Sequence, residues 1–140
     1  MWLLAAAIRQ AIEQAHQNGV IPSAEQQVQY EARYGDYETD ASRVLAIAGD
    51  VAEIKVAGVI TKAPSLMAML FGGGNVTYPE IIKALAEADA DPAVKRAEMK
   101  LDSPGGSIDG LFDAIAAMQA FSKPLKAVVH NQAASAAYSL

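Results

Sequence analysis

The stretch "RAEMKLDSPGGSIDGLFDAIAAMQAFSKPLKAVVHNQAAS" constrains the chain more than any other part of it. From Arg96 to Leu101 apolar and charged residues alternate strictly, with Ala97, Met99 and Leu101 set against Arg96, Glu98 and Lys100. That is the pattern of a strand with one buried and one wetted face. A turn-forming "DSPGGS" follows, and Ile108, Leu111, Phe112, Ile115 and Met118 then recur at helical spacing. Lys123-Pro124 breaks that helix, "LKAVVH" reads as the next strand, and "NQAASAAYSL" begins a further helix.

The segment upstream repeats the logic. "TYPE" opens a helix, with Thr77 as N-cap, Glu80 completing a capping box and Pro79 tolerated in the first turn. Ile81, Ile82, Leu85 and Ala88 form its buried stripe, and "DADP" ends it before Pro92. "RVLAIAGDVAEIKVAGVI" supplies a strand over Val51 to Ile60, with Ile54, Val56, Gly58 and Ile60 at period two, and a short strand over Val44 to Ile47. Strands alternating with helices, joined by connections long enough for parallel crossovers, predict an α/β fold with a parallel sheet.

The remaining segments say less. "MWLLAAAIRQAIEQAHQNG" predicts an amphipathic helix over Trp2 to Gln17 that stops at Gly19; it lacks the basic flank and cleavage site of a signal peptide and is too short to span a bilayer. Val20 to Ser42 is polar, a short helix followed by an acidic connector. "SLMAMLFGGG" reads equally as a buried core helix or as a Met-rich loop tip that meets a partner. With 52% hydrophobic residues and a net charge of −5, the chain is expected to fold and not to bind nucleic acid. The absence of cysteine excludes disulfides, thiol catalysis and thiolate metal sites.

In a parallel sheet, ligands gather outside the carboxyl ends of the strands. "DSPGGS" and "NQAAS" are the turns that leave two consecutive strands, so they should lie side by side. Gly105 and Gly106 can present backbone N–H groups to a developing oxyanion, Ser135, placed in the first turn of its helix, can bring a hydroxyl into the same space, and the N–H of Ala136 is a second donor. Singly, each feature has an ordinary structural explanation: Pro-Gly-Gly is a common turn, and an alanine-rich stretch lets a helix pack closely. No phosphate-binding glycine motif is present, and His16 and His130 lack metal-ligand spacing, so no cofactor or metal is expected. His130, at a strand end, is a hydrogen-bonded terminal residue or, less readily, a general base.

"DADPAVKRAEMKLDSPGGSIDGLFDAI" followed by "KPLKAVVHNQAASAAYSL" resembles the serine peptidases of the signal-peptide-peptidase A family, and within it the phage head-maturation proteases. "VAEIKVAGVIT" is similar to that family's entry strand, so the likeness covers roughly Val44 to Leu140. The Clp protease shares both turns, and crotonase enzymes share the fold. The resemblance implies a Clp/crotonase-like spiral of ββα units. It implies Ser135 as nucleophile, the N–H groups of Gly106 and Ala136 as oxyanion hole, and Gly105 and Ser107 as substrate-binding residues. The implied substrates are polypeptides: scaffold or capsid proteins, or signal peptides. Self-association and a cytoplasmic location, in the host or the phage prohead, are implied with them.

The family's base is a lysine placed well downstream of the serine, and none follows Ser135 here. Residues 1–43 therefore read as an N-terminal helix and connector, and 44–140 as the N-terminal part of a protease domain, incomplete at its C-terminus and inactive or nearly so alone. Of the seven lysines, Lys62 at the end of the entry strand is the one worth testing as base. Two rivals stand beside this reading: a non-catalytic fragment that binds scaffold or capsid subunits through Leu66 to Phe71, and a cellular signal peptide peptidase, which should carry a membrane anchor.

Overall fold

The computed structural model describes residues 39–65 and 74–140, which belong to one unit of the chain, Tyr37–Leu140. The helix expected over Trp2 to Gln17, the polar segment before Thr39 and the Leu66 to Phe71 segment lie outside the described residues. A short 3-10 turn, Ala41–Arg43, enters a four-stranded sheet of order β1-β2-β5-β6, in which β1 is Leu45–Ala48, β2 Val51–Ala57, β5 Arg96–Ser103 and β6 Leu125–Ala133. β3 (Val59–Thr61) and β4 (Asn75–Thr77) form a separate two-stranded sheet. Among the described residues there are also three α-helices: α1 (Tyr78–Ala90), α2 (Leu111–Ala120) and α3 (Ala136–Ser139).

The sheet is mostly parallel: β2 pairs with β5, and β5 with β6, through crossovers that carry α1 and α2. β1 departs from the all-parallel expectation. Only Gly49 and Asp50 separate it from β2, and so short a link can form only an antiparallel hairpin. Alternation sorts the faces as expected. Ile54 and Val56 of β2 and Met99 and Leu101 of β5 share one core with Tyr78, Ile81, Ala84 and Leu85 of α1, and Ala52 and Ala97 are buried in a second cluster with Ala88 and Val94. On the other face the register sets Glu53 opposite Glu98 and Lys55 opposite Lys100. The diagonal ion pair of Lys100 with Glu53, at 2.7 Å, relieves both like-charge oppositions.

α1 starts where its capping box places it. Thr77 Oγ1 accepts from Glu80 N, and Glu80 Oε2 accepts from Thr77 N at 2.8 Å. Glu80 is fully buried, and Arg43 reaches its second oxygen at 2.9 Å, so the buried charge is paired.

Three expectations are corrected. The strand over Val51 to Ile60 is two strands in two sheets, because Gly58 at φ +83° turns the chain out of β2; Asp102 O accepts its N–H at 3.0 Å. The helix expected from Ile108 begins at Leu111, and Ile108 and Phe112 are 72% and 75% exposed. Its inward face is Leu111 and Ala114, and Gly110 before it lies flat against the Tyr78 ring, where a Cβ would come within 2.8 Å. The last strand continues to Ala133, so Ser135 precedes α3 rather than sitting in its first turn. Among the described residues no helix is long and apolar enough to cross a membrane.

Candidate active site

β5 and β6 are parallel neighbours, so their carboxyl ends emerge on one side and the turns that leave them meet there. The contact is close. A Cβ on Gly105 would stand 2.6 Å from Ala134 O and 2.7 Å from Ser135 Cβ, nearer than any real side chain approaches. Gly105 also adopts φ +99°, where a side chain is strained. Only glycine lets the two turns touch.

Gly106 is held from the other side. Ile60 N donates to Gly105 O at 3.0 Å, and Ser107 N donates to Ile60 O at 2.9 Å, so β3 is bridged to the turn at Gly106. A Cβ on Gly106 would lie 1.8 Å from Ile60 O. With its neighbours engaged in this bridge, the Gly106 N–H makes no hydrogen bond among the described residues.

Ser135 has φ 53° and ψ −126°, the one non-glycine residue with positive φ among those described. The angles are those of the first corner of a type II′ turn. Ala137 N closes that turn onto Ala134 O at 3.1 Å, and Tyr138 N donates to Ser135 O at 3.0 Å. The Ser135 side chain makes no cap bond, is exposed, and has no hydrogen-bond partner among the described residues. The Ala136 N–H is likewise unengaged. A nucleophilic atom thus stands on a strained corner, packed against Gly105, with two unengaged N–H groups in the adjoining turns. Such donors can stabilise the oxyanion of a tetrahedral intermediate.

Gly105, Ser135 and Ala136 are therefore brought together, and Gly106 adjoins them. Ser107 is engaged elsewhere: its hydroxyl accepts from Asp109 N at 3.0 Å, and its carbonyl accepts from the buried Tyr78 hydroxyl at 2.5 Å. Burial raises the Tyr78 phenol above its ordinary value. Two residues of this arrangement were not singled out from sequence. One is Ile60, read only as a strand residue. The other is Ser103, whose place in "DSPGGS" was its only signal.

Among the described residues no lysine or histidine is hydrogen-bonded to Ser135. Lys62 forms an exposed ion pair with Asp109 at 3.1 Å, beside the glycine turn. Lys83 donates to Thr39 O, Lys95 to Pro92 O, and Lys123 to Ala88 O and Asp91 O. His130 opens on the polar face of the sheet, in a groove with Lys55, Lys100 and Asp102. Among the described residues no group of three histidine or carboxylate side chains is placed to hold a metal ion. No protein-family model matches the chain, and no curated protein matches it.

Proposed function

We propose that this chain carries the nucleophile and oxyanion donors of a Ser-Lys endopeptidase on a Clp/crotonase-like spiral, of the phage capsid-maturation or signal-peptide-peptidase class. What supports the reading most is the backbone of Ser135, strained at φ 53° and ψ −126° against Gly105, beside unengaged N–H groups at Gly106 and Ala136. Strain of that kind persists where the surrounding structure over-determines it, and it concentrates at functional sites.

In the proposed reaction Ser135 Oγ attacks a peptide carbonyl carbon. The carbonyl electron pair moves onto oxygen and is held by Gly106 N–H and Ala136 N–H. The serine proton passes to a neutral lysine amine, which returns it to the departing amine as the C–N bond breaks. Water then releases the acyl group by the same steps. All seven lysines of the chain are among the described residues and none bonds to Ser135; on the proposed reading the base comes from elsewhere and the chain alone is nearly inactive.

Labelling with a fluorophosphonate, on this chain and on any longer reading frame that contains it, tests the assignment against Ser135→Ala controls. Serine-dependent labelling supports the nucleophile. Its absence from both folded proteins rejects it. A second reading, a non-catalytic module for scaffold or capsid subunits or for further copies of the chain, draws on the exposure of Phe112 and Tyr138, 75% and 82%. Partner binding that survives Ser135→Ala but fails on Phe112→Ser would favour it.

A further inference from the structure

Ser103 is fully buried and pairs with Ala133 of β6, and its hydroxyl and carbonyl are committed to three different segments of the site. Its hydroxyl donates to Gly58 O at 2.6 Å and accepts from Gly105 N at 3.0 Å, while its carbonyl accepts from Ala134 N at 3.1 Å. A hydroxyl has one proton. Because that proton goes to Gly58 O, the lone pairs are left for Gly105 N–H, and the direction of both bonds is settled. Gly105 N–H is drawn inward, Gly105 O is taken by Ile60 N, and the donor left unengaged in the turn is Gly106 N–H.

We propose that Ser103 is a positioning residue: its hydroxyl withdraws Gly105 N–H so that Gly106 supplies the oxyanion donor, and its carbonyl sets the distance from that donor to the Ser135 turn. The inference rests on the peptidase reading. It assigns a catalytic consequence to a side chain that never meets the substrate. Ser103→Ala leaves Gly58 O and Gly105 N–H buried without partners, and the glycine-glycine peptide is then free to rotate and carry the Gly106 donor out of line.

The test has two arms. In the first, the second-order rate of fluorophosphonate labelling at Ser135 is measured near pH 9, where hydroxide assists deprotonation and the lysine is not required. Removing one oxyanion donor typically costs about 100- to 1000-fold, so a misaligned donor in Ser103→Ala should slow labelling at least tenfold. Ile81→Val, a mild core change in α1 away from both turns, should label at the wild-type rate. Equal labelling of folded Ser103→Ala and wild type overturns the proposal.

In the second arm, amide hydrogen exchange is read by NMR on the wild-type chain. Gly105 N–H should exchange slowly and Gly106 N–H fast, and Ser103→Ala should abolish the Gly105 protection. The reverse pattern in the wild type overturns the proposal even if Ser103→Ala fails to fold. Wild-type labelling no faster than Ser135→Ala would reject the peptidase reading and with it the catalytic consequence. A protected Gly105 would in that case still uphold the hydrogen-bond selection by Ser103, so the two failures are told apart.

Discussion

Replacing Ser135 with glycine should stabilise the fold, and replacing it with alanine should leave stability nearly unchanged. At φ 53° and ψ −126° a residue with a Cβ is strained, and such positions cost about 1–3 kcal/mol. Glycine removes that cost but loses about 0.5–1 kcal/mol to the greater freedom of its unfolded chain. The net gain is about 0–2.5 kcal/mol. Alanine keeps the Cβ and its strain, and the hydroxyl it deletes is exposed and makes no hydrogen bond, so its effect should stay within about 0.5 kcal/mol. Urea unfolding of the three proteins reads the difference directly. With a slope of about 1–3 kcal/mol per molar, a gain of 1 kcal/mol raises the midpoint by roughly 0.3–1 M. A Ser135→Gly midpoint at or below that of Ser135→Ala would refute the strain argument, and with it the main support for a functional serine.

Gly106→Ala places a Cβ 1.8 Å from Ile60 O, so β3 or the turn must move; a loss of about 3 kcal/mol or more in urea unfolding is expected, together with loss of Ser135 labelling. Tyr78→Phe removes the hydrogen bond to Ser107 O and should cost about 1 kcal/mol at neutral pH. Because burial raises the Tyr78 phenol above its ordinary value of 10.0, its contribution is complete below that pH and is lost as pH rises through the folded value; unfolding curves at rising alkaline pH should therefore fall less steeply for Tyr78→Phe. The Ser122 hydroxyl, donating to Asp89 at 2.6 Å, holds the Asp89 carboxyl below its ordinary value of 3.8. That contribution is present above the ordinary value and vanishes as pH falls through the folded one, so Ser122→Ala should lower the urea midpoint at pH 7 and match the wild type in strong acid.

The parts legible in the sequence are those whose causes are local. The capping box of α1 and the period-two run of β5 are written in adjacent residues, and the rule that ligands gather at strand ends then sufficed to bring Gly105 and Ser135 into one place. Distant partners set what was missed. Val56, Gly58 and Ile60 keep perfect alternation through the corner between β2 and β3; the break comes from Asp102 O and Ser103 Oγ, more than forty residues away, which take both backbone groups of Gly58. β4 has three residues, too few for any period to show. Ile108 and Phe112 fit a helical stripe in sequence, yet the chain reaches helical geometry only at Leu111, which leaves both side chains outside the packed face. Nothing in "QAASAA" signals that its serine has positive φ, because that conformation is imposed by closure of the turn onto Ala134 and by contact with Gly105.

On the proposed reading the site holds its donors and its nucleophile, while among the described residues no proton acceptor is bonded to Ser135, and this asymmetry has a kinetic signature. If no group of the chain takes its proton, as among the described residues, ionisation of Ser135 in the isolated chain depends on hydroxide, so the labelling rate should climb about tenfold for each pH unit between 7 and 9 with no plateau. A lysine supplied from outside would add a step that levels off above its own lowered pKa. A plateau in the isolated chain would mean that a group within it, the Lys62 ammonium released from Asp109 or the His130 imidazole, reaches the serine after all. Lys62→Met and His130→Gln would then identify which, by removing the plateau and leaving the hydroxide-dependent slope. The profile therefore separates a complete dyad from a half-site more directly than any measure of activity on peptides.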